Sequence, residues 1–588
     1  MADPIYRIHP AIGIARVGNA DRNTFFVGPE VPGLGPRGDT TVGTLVPDFK
    51  SGGLIKPQAA RFRIWEYVDD GKGNWVPSRE INLDEKDCVS LVWTAHLANR
   101  KGSFFEFAYL AGLERPAAKR RNDTQNERRK LEIDPLPRTI SGRKAKPVEF
   151  RKGKSSNPAK ELWPLPAPSP VLDYLGELRT DDAGRLLVIG GKGLGYNQGG
   201  TPLGADPFNN DKWFDDVSDG PVQATLTLKR GGKNKVVKVE PAWVLCGPPD
   251  FAPTLTNQVT LYDVLYDMAA REMTVPLKEG LFSTVLKPLR DINAEFKANG
   301  GPKLTTFQPS FDDDIFPILR RAQETVFTFA ALAGSHGTLK GYGTLGDSSA
   351  GAKPARQAVF NRLRAPGVVG VGGAANMPLL HGDAYGQVAH ARFGLTVTET
   401  QYAMLKRWVD GQFVKSAGTF PPLRPAWMAA VSPHGLDRAA LENCVGGALG
   451  PGIEVGWQIR HTKLYASPFR IDHSATSQYL GDSKPIRAGH FSRQMALPWH
   501  TDFLACTLQD GRGWWPAQRP DIVYKTKADF DKAPRVNEPW ARDGPGTWPS
   551  GPGLPTGEEF IAHYHKLGFV REGPAFHHLE QERNASVP

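Results

Sequence analysis

The spacing of apolar residues changes close to residue 250, and this change constrains the fold more than any other feature. Before it, stretches such as "ARFRIWEYV", "QATLTLKR" and "NKVVKVEPAWVLC" alternate apolar and polar residues, which is the pattern of half-buried strands. After it, "TLYDVLYDMAAREM" and "TETQYAMLKRWVDGQF" carry apolar residues at helical spacing. The sequence therefore predicts an α+β protein in which the strands come first.

A chain of 588 residues is too long for one ordinary hydrophobic core, so several structural units are expected. The pattern divides the chain into three regions. Residues 1–249 are predicted to be β-rich, with antiparallel sheets, and residues 250–420 are predicted to be mainly helical. Residues 421–588 return to turn-rich sequence without a regular period. Long irregular segments inside a compact protein are often functional, so we expect this last region to build the active site.

Composition and charge exclude several classes of protein. Hydrophobic residues at 40% and charged residues at 23% are typical of a soluble globular chain, and no apolar run could cross a bilayer. The start, "MADPIYRIHP", lacks the features of a secretory signal, which favours the cytoplasm and leaves export by another route open.

The net charge of +10 is concentrated between residues 114 and 155. No nucleic-acid-binding module accompanies it, so we predict a solvated basic region and no nucleic-acid partner.

Familiar catalytic and metal-binding motifs are missing from the sequence. His473, His490 and His500 lie in the last third, but no HxH or HExxH pattern links them. The four cysteines form no CxxC pair, and no GxSxG elbow is present. We therefore expect no metal site and no serine nucleophile.

Four residues remain as chemical candidates. Cys444 follows the helical stretch "DRAALEN" and is either exposed for reaction or a small apolar filler. Asp502, in "PWHTDFLAC", is either a capping aspartate or a carboxyl desolvated by aromatic neighbours, whose raised pKa would suit a proton acceptor. Trp514 and Trp515 are adjacent in "GRGWWPAQRP". In a strand they would point to opposite faces, so simple alternation would bring at most one of them into a given core.

Taken together, eight phrases resemble one family. They are, in chain order, "IHPAIGIARVGN", "LEIDPLPRTISG", "WVLCGPPDFAP", "LYDVLYD", "ENCVGGALGPGIE", "SPFRID", "LPWHTDFLAC" and "WWPAQRP". The ordered set is similar to the quinoprotein amino-acid oxidases, the family of L-lysine ε-oxidase and glycine oxidase. The resemblance runs from about Ile8 to Tyr524 and covers nearly the whole chain.

The resemblance implies a cofactor made from the chain itself. In this family a cysteine and a tryptophan become cysteine tryptophylquinone, which forms a Schiff base with a primary amine of an amino acid and passes electrons to dioxygen. Ammonia and hydrogen peroxide are released. By motif the cysteine here is Cys444, and the tryptophan is Trp515 or Trp514, with Trp515 preferred. Cys506 is a weaker candidate because it lies outside the "CVGG" phrase. Asp502 is expected to act as base, in cofactor maturation, or both.

The resemblance also implies further features of the site and its partners. His473 is expected to line the same pocket as the cofactor. Family members carry an aspartate a few residues before the cofactor cysteine, but Ala440 stands there if the cysteine is Cys444, with Asp437 and Glu442 as the nearest acids. His500 stands where glutamine is more usual.

The implied partners are an amino-acid substrate, dioxygen, a separate flavoprotein that matures the cofactor, and further copies of this chain in a homo-oligomer. The sequence leaves open which amino acid is oxidised, and at which amine. A second hypothesis stays open as well, in which the chain is a β-rich scaffold or binding protein of the same fold without a mature cofactor.

Overall fold

The computed structural model describes most of the chain. The described residues are 3–36, 46–71, 74–104, 120–164, 172–204, 208–273, 286–332, 336, 342–367, 377–382, 394–415, 431–447, 453–475, 485–506, 512–541, 557–573 and 577–584.

One large sheet dominates the first 247 residues. Its fourteen strands in the described part of the chain are β1 (Ile5–His9), β2 (Ile12–Arg16), β3 (Phe26–Val27), β6 (Gln58–Asp69), β7 (Trp75–Ile81), β8 (Cys88–Ala95), β9 (Arg138–Ser141), β10 (Val148–Arg151), β11 (Tyr174–Thr180), β12 (Leu186–Ile189), β15 (Ser218–Arg230), β16 (Lys233–Val237), β17 (Val239–Glu240) and β18 (Ala242–Gly247). Two-stranded pairs are formed by β4 (Lys50–Ser51) with β5 (Leu54–Ile55), β13 (Gly195–Asn197) with β14 (Trp213–Asp215), β19 (Tyr465–Ser467) with β20 (Arg470–Ile471), β21 (Ile522–Val523) with β22 (Glu538–Pro539) and β23 (Phe569–Glu572) with β24 (His578–Gln581).

The sheet is mainly antiparallel, as the sequence predicts, and it also contains parallel pairs. Its main path runs β10-β11-β12-β6-β2-β18-β15-β8-β9, and most neighbours are antiparallel. However, β2 pairs with β18 in parallel, with Ile14 opposite Leu245, and two further pairs, β1 with β17 and β3 with β6, are also parallel. A parallel pair needs a long connection, and β2 and β18 are separated by most of the N-terminal region.

Helices lie mainly after residue 260, and with the β-rich first half they confirm the α+β class. They are α1 (Leu261–Glu272), α2 (Lys287–Ala298), α3 (Phe316–Glu324), α4 (Tyr342–Leu345), α5 (Lys353–Phe360), α6 (Glu399–Val409), α7 (Pro433–Glu442), α8 (His500–Ala505), α9 (Lys527–Asp531) and α10 (Gly557–His563). Thr260 and Asp263 form a capping box that starts α1, and Thr398 and Gln401 form another at α6. The boundaries predicted at residues 249/250 and 420/421 stay predictions.

Two hydrophobic clusters matter for the site. The first, which we call the helical core, joins β2 and β18 to α1, α2, α3, α6 and α7. The second, which we call the tryptophan cluster, is built mainly from the last third of the chain. Its members include Val17, Phe251, Val445, Met495, Ala496, Trp499, Phe503, Cys506, Trp514, Trp515, Ala517, Trp540, Phe560 and Tyr564.

Within the basic region predicted to be solvated, the described residues 120–155 are only partly exposed, which corrects that expectation. Arg143 and Lys144 are exposed, as expected. Arg121 and Arg138 are buried. Their guanidinium groups donate to backbone carbonyls such as Met495 O and Glu149 O, which replaces the hydrogen bonds lost to water. Arginine has five donors in a fixed fork, so it can serve as a buried hydrogen-bonding hub. Within the described residues, no helix combines the length and the apolar character needed to span a bilayer.

The contact between sheet and helices should carry much of the stability. Leu245 in β18 is fully buried in the helical core, so Leu245→Ala should lower the free energy of unfolding by about 2–5 kcal/mol through lost contacts and a cavity. Val236 in β16 is 66% exposed, and Val236→Ala should change it by less than about 0.5 kcal/mol. Urea unfolding of both variants measures the difference, and equal losses would show that this contact is not central.

Candidate active site

Cys444 lies in the turn that follows α7, and this turn packs against the start of α1. Its N–H donates to Leu441 O at 3.2 Å, and its carbonyl accepts from the Leu261 N–H at 3.1 Å. The next turn of chain approaches α1 closely, because a Cβ on Gly446 would lie 1.9 Å from Thr260 O. The Cys444 side chain is fully buried and packs in the helical core, and burial raises the pKa of its thiol well above the ordinary range. In this structure, Cys444 is a packed apolar residue.

The two acids nearest to Cys444 in sequence are already bound elsewhere. Asp437 accepts from the Ala11 N–H at 2.6 Å and lies 2.9 Å from His9 Nδ1. Glu442 pairs with Arg321 and Arg438, each at 2.8 Å. Both carboxylates therefore fix α7 against its neighbours, and neither stands in for the acid that Ala440 lacks.

A different acid, Glu454, connects three segments around Cys444. Its carboxylate accepts from Arg16 Nη1 at 3.1 Å, from the Val445 N–H at 3.2 Å and from Gln518 Nε2. Gln518 comes three residues after Trp515, and its N–H donates to Trp515 O at 3.0 Å. Glu454 thereby ties the Cys444 turn to the tryptophan loop and to β2.

Arg16 belongs to the same buried group. It also donates to Pro248 O at 3.0 Å and to Asn443 Oδ1 at 3.3 Å, and it lies 3.8 Å from Asp250. Burial raises the pKa of Glu454 and raises that of Asp250 to about 7, so this group holds two carboxyls around one guanidinium. Such a group is costly to dismantle, because removing one partner leaves another buried charge unpaired.

Asp502 occupies a desolvated position on α8, which is the second of the two possibilities that the sequence left open. It is 2% exposed, and burial raises the pKa of its carboxyl to about 8. Its Oδ2 has no hydrogen-bond partner among the described residues. One turn later, the Cys506 N–H donates to Asp502 O at 3.2 Å. A buried carboxyl with a pKa near neutral and a free oxygen is suited to accept a proton.

Cys506 and both tryptophans share the tryptophan cluster. Arg519 connects the two segments that carry them: its Nε donates to Phe503 O at 2.7 Å, while its backbone N–H donates to Trp515 O at 3.2 Å. Burial raises the pKa of the Cys506 thiol well above the ordinary range; the Asp502 carboxylate adds to this rise and Arg519 opposes it. The structure thus brings Asp502, Cys506, Trp514 and Trp515 into one region.

The paired tryptophans have different neighbours. Trp515 meets Phe503 edge to face, with ring centroids 5.8 Å apart, and therefore faces the helix that carries Asp502. Trp514 packs against His381, with centroids 4.4 Å apart. The two rings are buried in one cluster but have different ring neighbours, so they are suited to different tasks.

Of the histidines named from the sequence, His473 contacts the helical core and His500 begins α8. His473 packs edge to face on Trp243, a member of the helical core, with ring centroids 5.2 Å apart, and it hydrogen-bonds to the backbone of Ala242. Burial lowers its pKa to about 4. His500 stacks on Trp499 at 3.6 Å, and burial also lowers its pKa. No group of three or more potential metal ligands is found in the described part of the chain.

Sequence reasoning did not identify several polar residues of the site. Glu454 had one signal, since it is a single acid in the apolar stretch "GPGIEVG" and such an acid needs a partner. Arg16 and Gln518 had none, and neither had Lys101, whose fully buried ammonium pairs with Asp215. Lysine and arginine are normally exposed, so nothing local distinguishes a buried one.

Comparison with known proteins supports this view of the chain. The model of the L-lysine epsilon oxidase N-terminal region matches residues 9–246, and that of the L-lysine epsilon oxidase C-terminal domain matches residues 378–527. The chain belongs to the L-lysine epsilon-oxidase family. It is 29% identical over 565 residues to the L-lysine 6-oxidase of Marinomonas mediterranea, covering 85% of this chain and 71% of that protein. The resemblance seen in the sequence phrases is thereby confirmed.

Two solved structures have the same fold as this chain. The crystal structure of the L-Lys epsilon-oxidase from Marinomonas mediterranea matches with a TM-score of 0.76 and 23% identity, covering 98% of this chain and 95% of that one. A crystal structure of the Schiff base intermediate of that enzyme with L-Lys matches over the same shares with a TM-score of 0.75. The chain therefore shares the fold of that oxidase.

The connection through Glu454 gives a prediction about stability. Glu454→Leu should lower the free energy of unfolding by about 3 kcal/mol or more, because Arg16 would stay buried without its closest carboxylate. The control is Glu127→Leu, which removes an exposed pair with Lys130 and should cost less than about 1 kcal/mol. Urea unfolding compares the two, and a Glu454→Leu loss no larger than that of the control would contradict the role assigned to Glu454.

Proposed function

We propose that this member of the family is a quinoprotein amino-acid oxidase whose cysteine tryptophylquinone is built from Cys506 and Trp515, with Asp502 as its base. The overall reaction converts a primary amine of an amino acid, with dioxygen and water, into the carbonyl product, ammonia and hydrogen peroxide. The observation that carries the proposal is that Cys506 and Trp515 share the buried tryptophan cluster, while the buried carboxyl of Asp502 lies on the helix that ends at Cys506.

Cys506 fits the cofactor role better than Cys444 for two reasons. It belongs to the same cluster as both tryptophans, whereas Cys444 belongs to the helical core. Asp502 also precedes Cys506 by four residues. An aspartate a few residues before the cofactor cysteine is what the family resemblance requires, and Ala440 cannot provide it for Cys444.

Trp515 fits the role better than Trp514 because its ring faces α8. The Phe503 contact and the Arg519 bond to Trp515 O hold this residue beside the segment of Asp502 and Cys506. Trp514, packed on His381, is suited to anchoring the loop.

The quinone would supply the electrophilic carbonyl and the electron sink that unmodified side chains lack. The residues around it supply the remaining functions. The free Asp502 Oδ2 accepts the proton from the substrate carbon next to the reacting amine, and the apolar cluster keeps bulk water away from that carboxylate. Glu454 and Arg519 hold the tryptophan loop in register with α8 and the Cys444 turn.

The family resemblance suggests which substrates and partners to test. The curated relative is an L-lysine 6-oxidase, so lysine is the first amino acid to test, and glycine is the second because glycine oxidase belongs to the same resemblance. A separate flavoprotein is proposed to mature the cofactor, and the working enzyme is proposed to be a homo-oligomer.

Intact mass tests the cofactor directly. Protein produced together with the flavoprotein partner should be heavier than the unmodified chain by ~28 Da, because two oxygens are added and four hydrogens are lost. Cys506→Ala should abolish this increment, and Cys444→Ala should retain it in the folded protein.

The other outcomes are equally informative. An increment that survives Cys506→Ala and disappears in Cys444→Ala would assign the cross-link to Cys444. An unmodified wild-type chain, in the presence of the flavoprotein, would exclude the oxidase and favour the scaffold hypothesis.

The pH dependence tests Asp502. Only the ionised carboxylate accepts a proton, and the pKa of Asp502 is raised to about 8, so kcat should increase with pH and reach half its maximum near that value. Asp502→Asn should lower kcat by about 10²–10⁴-fold. Asp84 is exposed, and Asp84→Asn is the matched control with unchanged kcat.

Because Asp502 is also a candidate for cofactor maturation, kcat is compared only between samples that carry the mass increment, and peroxide release is the assay. A cofactor-containing Asp502→Asn enzyme with near-normal kcat would contradict the base assignment. The pH dependence of the wild type is an independent test, because it needs no variant.

A further inference from the structure

Lys101 is an unusual residue in this molecule because its side chain is fully buried. Its exposed fraction is 0%, and its ammonium pairs with the carboxylate of Asp215, which is also 0% exposed. Lysine is almost never buried completely, and a buried ammonium is costly unless it is paired. The residue lies in the N-terminal half, more than 350 residues before the cofactor segment, and the chemistry proposed above does not use it.

The Lys101–Asp215 pair is joined to the helix that carries Asp502. Asp215 Oδ2 accepts from Lys101 Nζ and also from the Trp499 N–H at 2.8 Å. Asp215 Oδ1 accepts from Asn99 Nδ2 at 2.8 Å. Trp499 immediately precedes α8, and its carbonyl accepts from the Asp502 N–H at 3.2 Å. Asp215 therefore fixes the first turn of α8, on which Asp502 is carried.

Several charges act on the Asp502 carboxyl. Lys101 and Arg121 favour its ionised form, whereas Glu454 and Asp215 oppose it, and the Cys506 thiol also interacts with it. Lys101 has the largest effect among the charges that lower the pKa of Asp502. Arg121 is held by backbone carbonyls that include Lys101 O and Met495 O. Burial dominates overall, so the cations limit a rise in pKa that would otherwise be larger.

We propose that the buried Lys101–Asp215 pair is a positioning unit for Asp502, in which the cation stabilises the carboxylate that takes up the substrate proton and the anion fixes its helix. This inference rests on the proposed function, since that function gives Asp502 its proton-accepting role. Lys101 acts through Asp502 and is not itself a catalytic residue.

Removing the positive charge should make the base ionise at higher pH. In Lys101→Met, which keeps a long apolar side chain, the pH at which kcat is half-maximal should rise by about one unit or more, as expected when a nearby opposite charge is lost. Lys101→Arg keeps the charge and should restore the wild-type midpoint. A purely structural role would lower the plateau of kcat at high pH and leave the midpoint unchanged.

Two additional variants protect the test against misfolding. Lys101→Met leaves Asp215 as a buried anion, so the double variant Lys101→Met/Asp215→Asn removes both charges while a carbonyl oxygen remains for the Trp499 N–H. Its midpoint should lie between those of the wild type and Lys101→Met, because the repulsion from Asp215 is gone as well. Lys130→Met, at an exposed lysine, is the matched control and should leave the midpoint unchanged.

A second readout needs no cofactor. Protein produced without the flavoprotein is titrated by infrared difference spectroscopy of its carboxyl groups, and the band that Asp502→Asn removes is assigned to Asp502. That band should titrate at higher pH in Lys101→Met than in the wild type. An Asp502 band unmoved in Lys101→Met, or a kcat midpoint unmoved in a variant that carries the ~28 Da increment, overturns this proposal. A wild type without the increment overturns the proposed function instead, and the infrared titration still decides the role of Lys101.

Discussion

The buried carboxylate of Glu454 is the contact on which the site depends. It accepts hydrogen bonds from β2 through Arg16, from the Cys444 turn through Val445 and from the tryptophan loop through Gln518. Arg16 comes from the beginning of the sequence, whereas Val445 and Gln518 come from separate segments of its last third, and each brings its own buried donor. Satisfying all of these donors with one acid requires the segments to meet, because an unpaired buried charge is heavily penalised.

Desolvation then gives the site its chemical character. The aromatic side chains of Trp499, Phe503 and Trp515 surround α8, and the pKa of Asp502 is raised to about 8 by burial. In a deeper pocket without cations, this carboxyl would stay protonated over the whole working range of pH. In a solvated pocket, its pKa would be low and its carboxylate would be too weak a base. The buried Lys101 keeps the pKa of Asp502 between these extremes, because its positive charge favours the carboxylate. Lys101 can itself stay charged while buried because it pairs with Asp215.

Some of this arrangement could be predicted from local sequence. The periodicity on either side of residue 250 indicated the α+β class, and the phrases indicated the family. The aromatic residues around Asp502 made its burial one of two possibilities. The choice between Cys444 and Cys506 could not be made in the same way. A motif fixes which phrase a cysteine belongs to, but a cross-link depends on which sulfur lies near a tryptophan, and that depends on packing between distant segments. Arg121 shows the same limit, because it lies in a strongly basic stretch and is nevertheless buried beneath backbone carbonyls.

The sequence by itself determined the order of strands and helices, the family of the chain and the residue types available for an oxidase: cysteines, paired tryptophans and an aspartate among aromatics. These properties depend on side-chain pattern, which is local. Only the tertiary structure decided that Asp437 and Glu442 are bound to other groups, that Glu454 joins three segments, and that Trp514 and Trp515 face different neighbours. Those outcomes depend on which buried donors and acceptors meet across hundreds of residues, and hydrogen-bond pairing of that kind has no local signature.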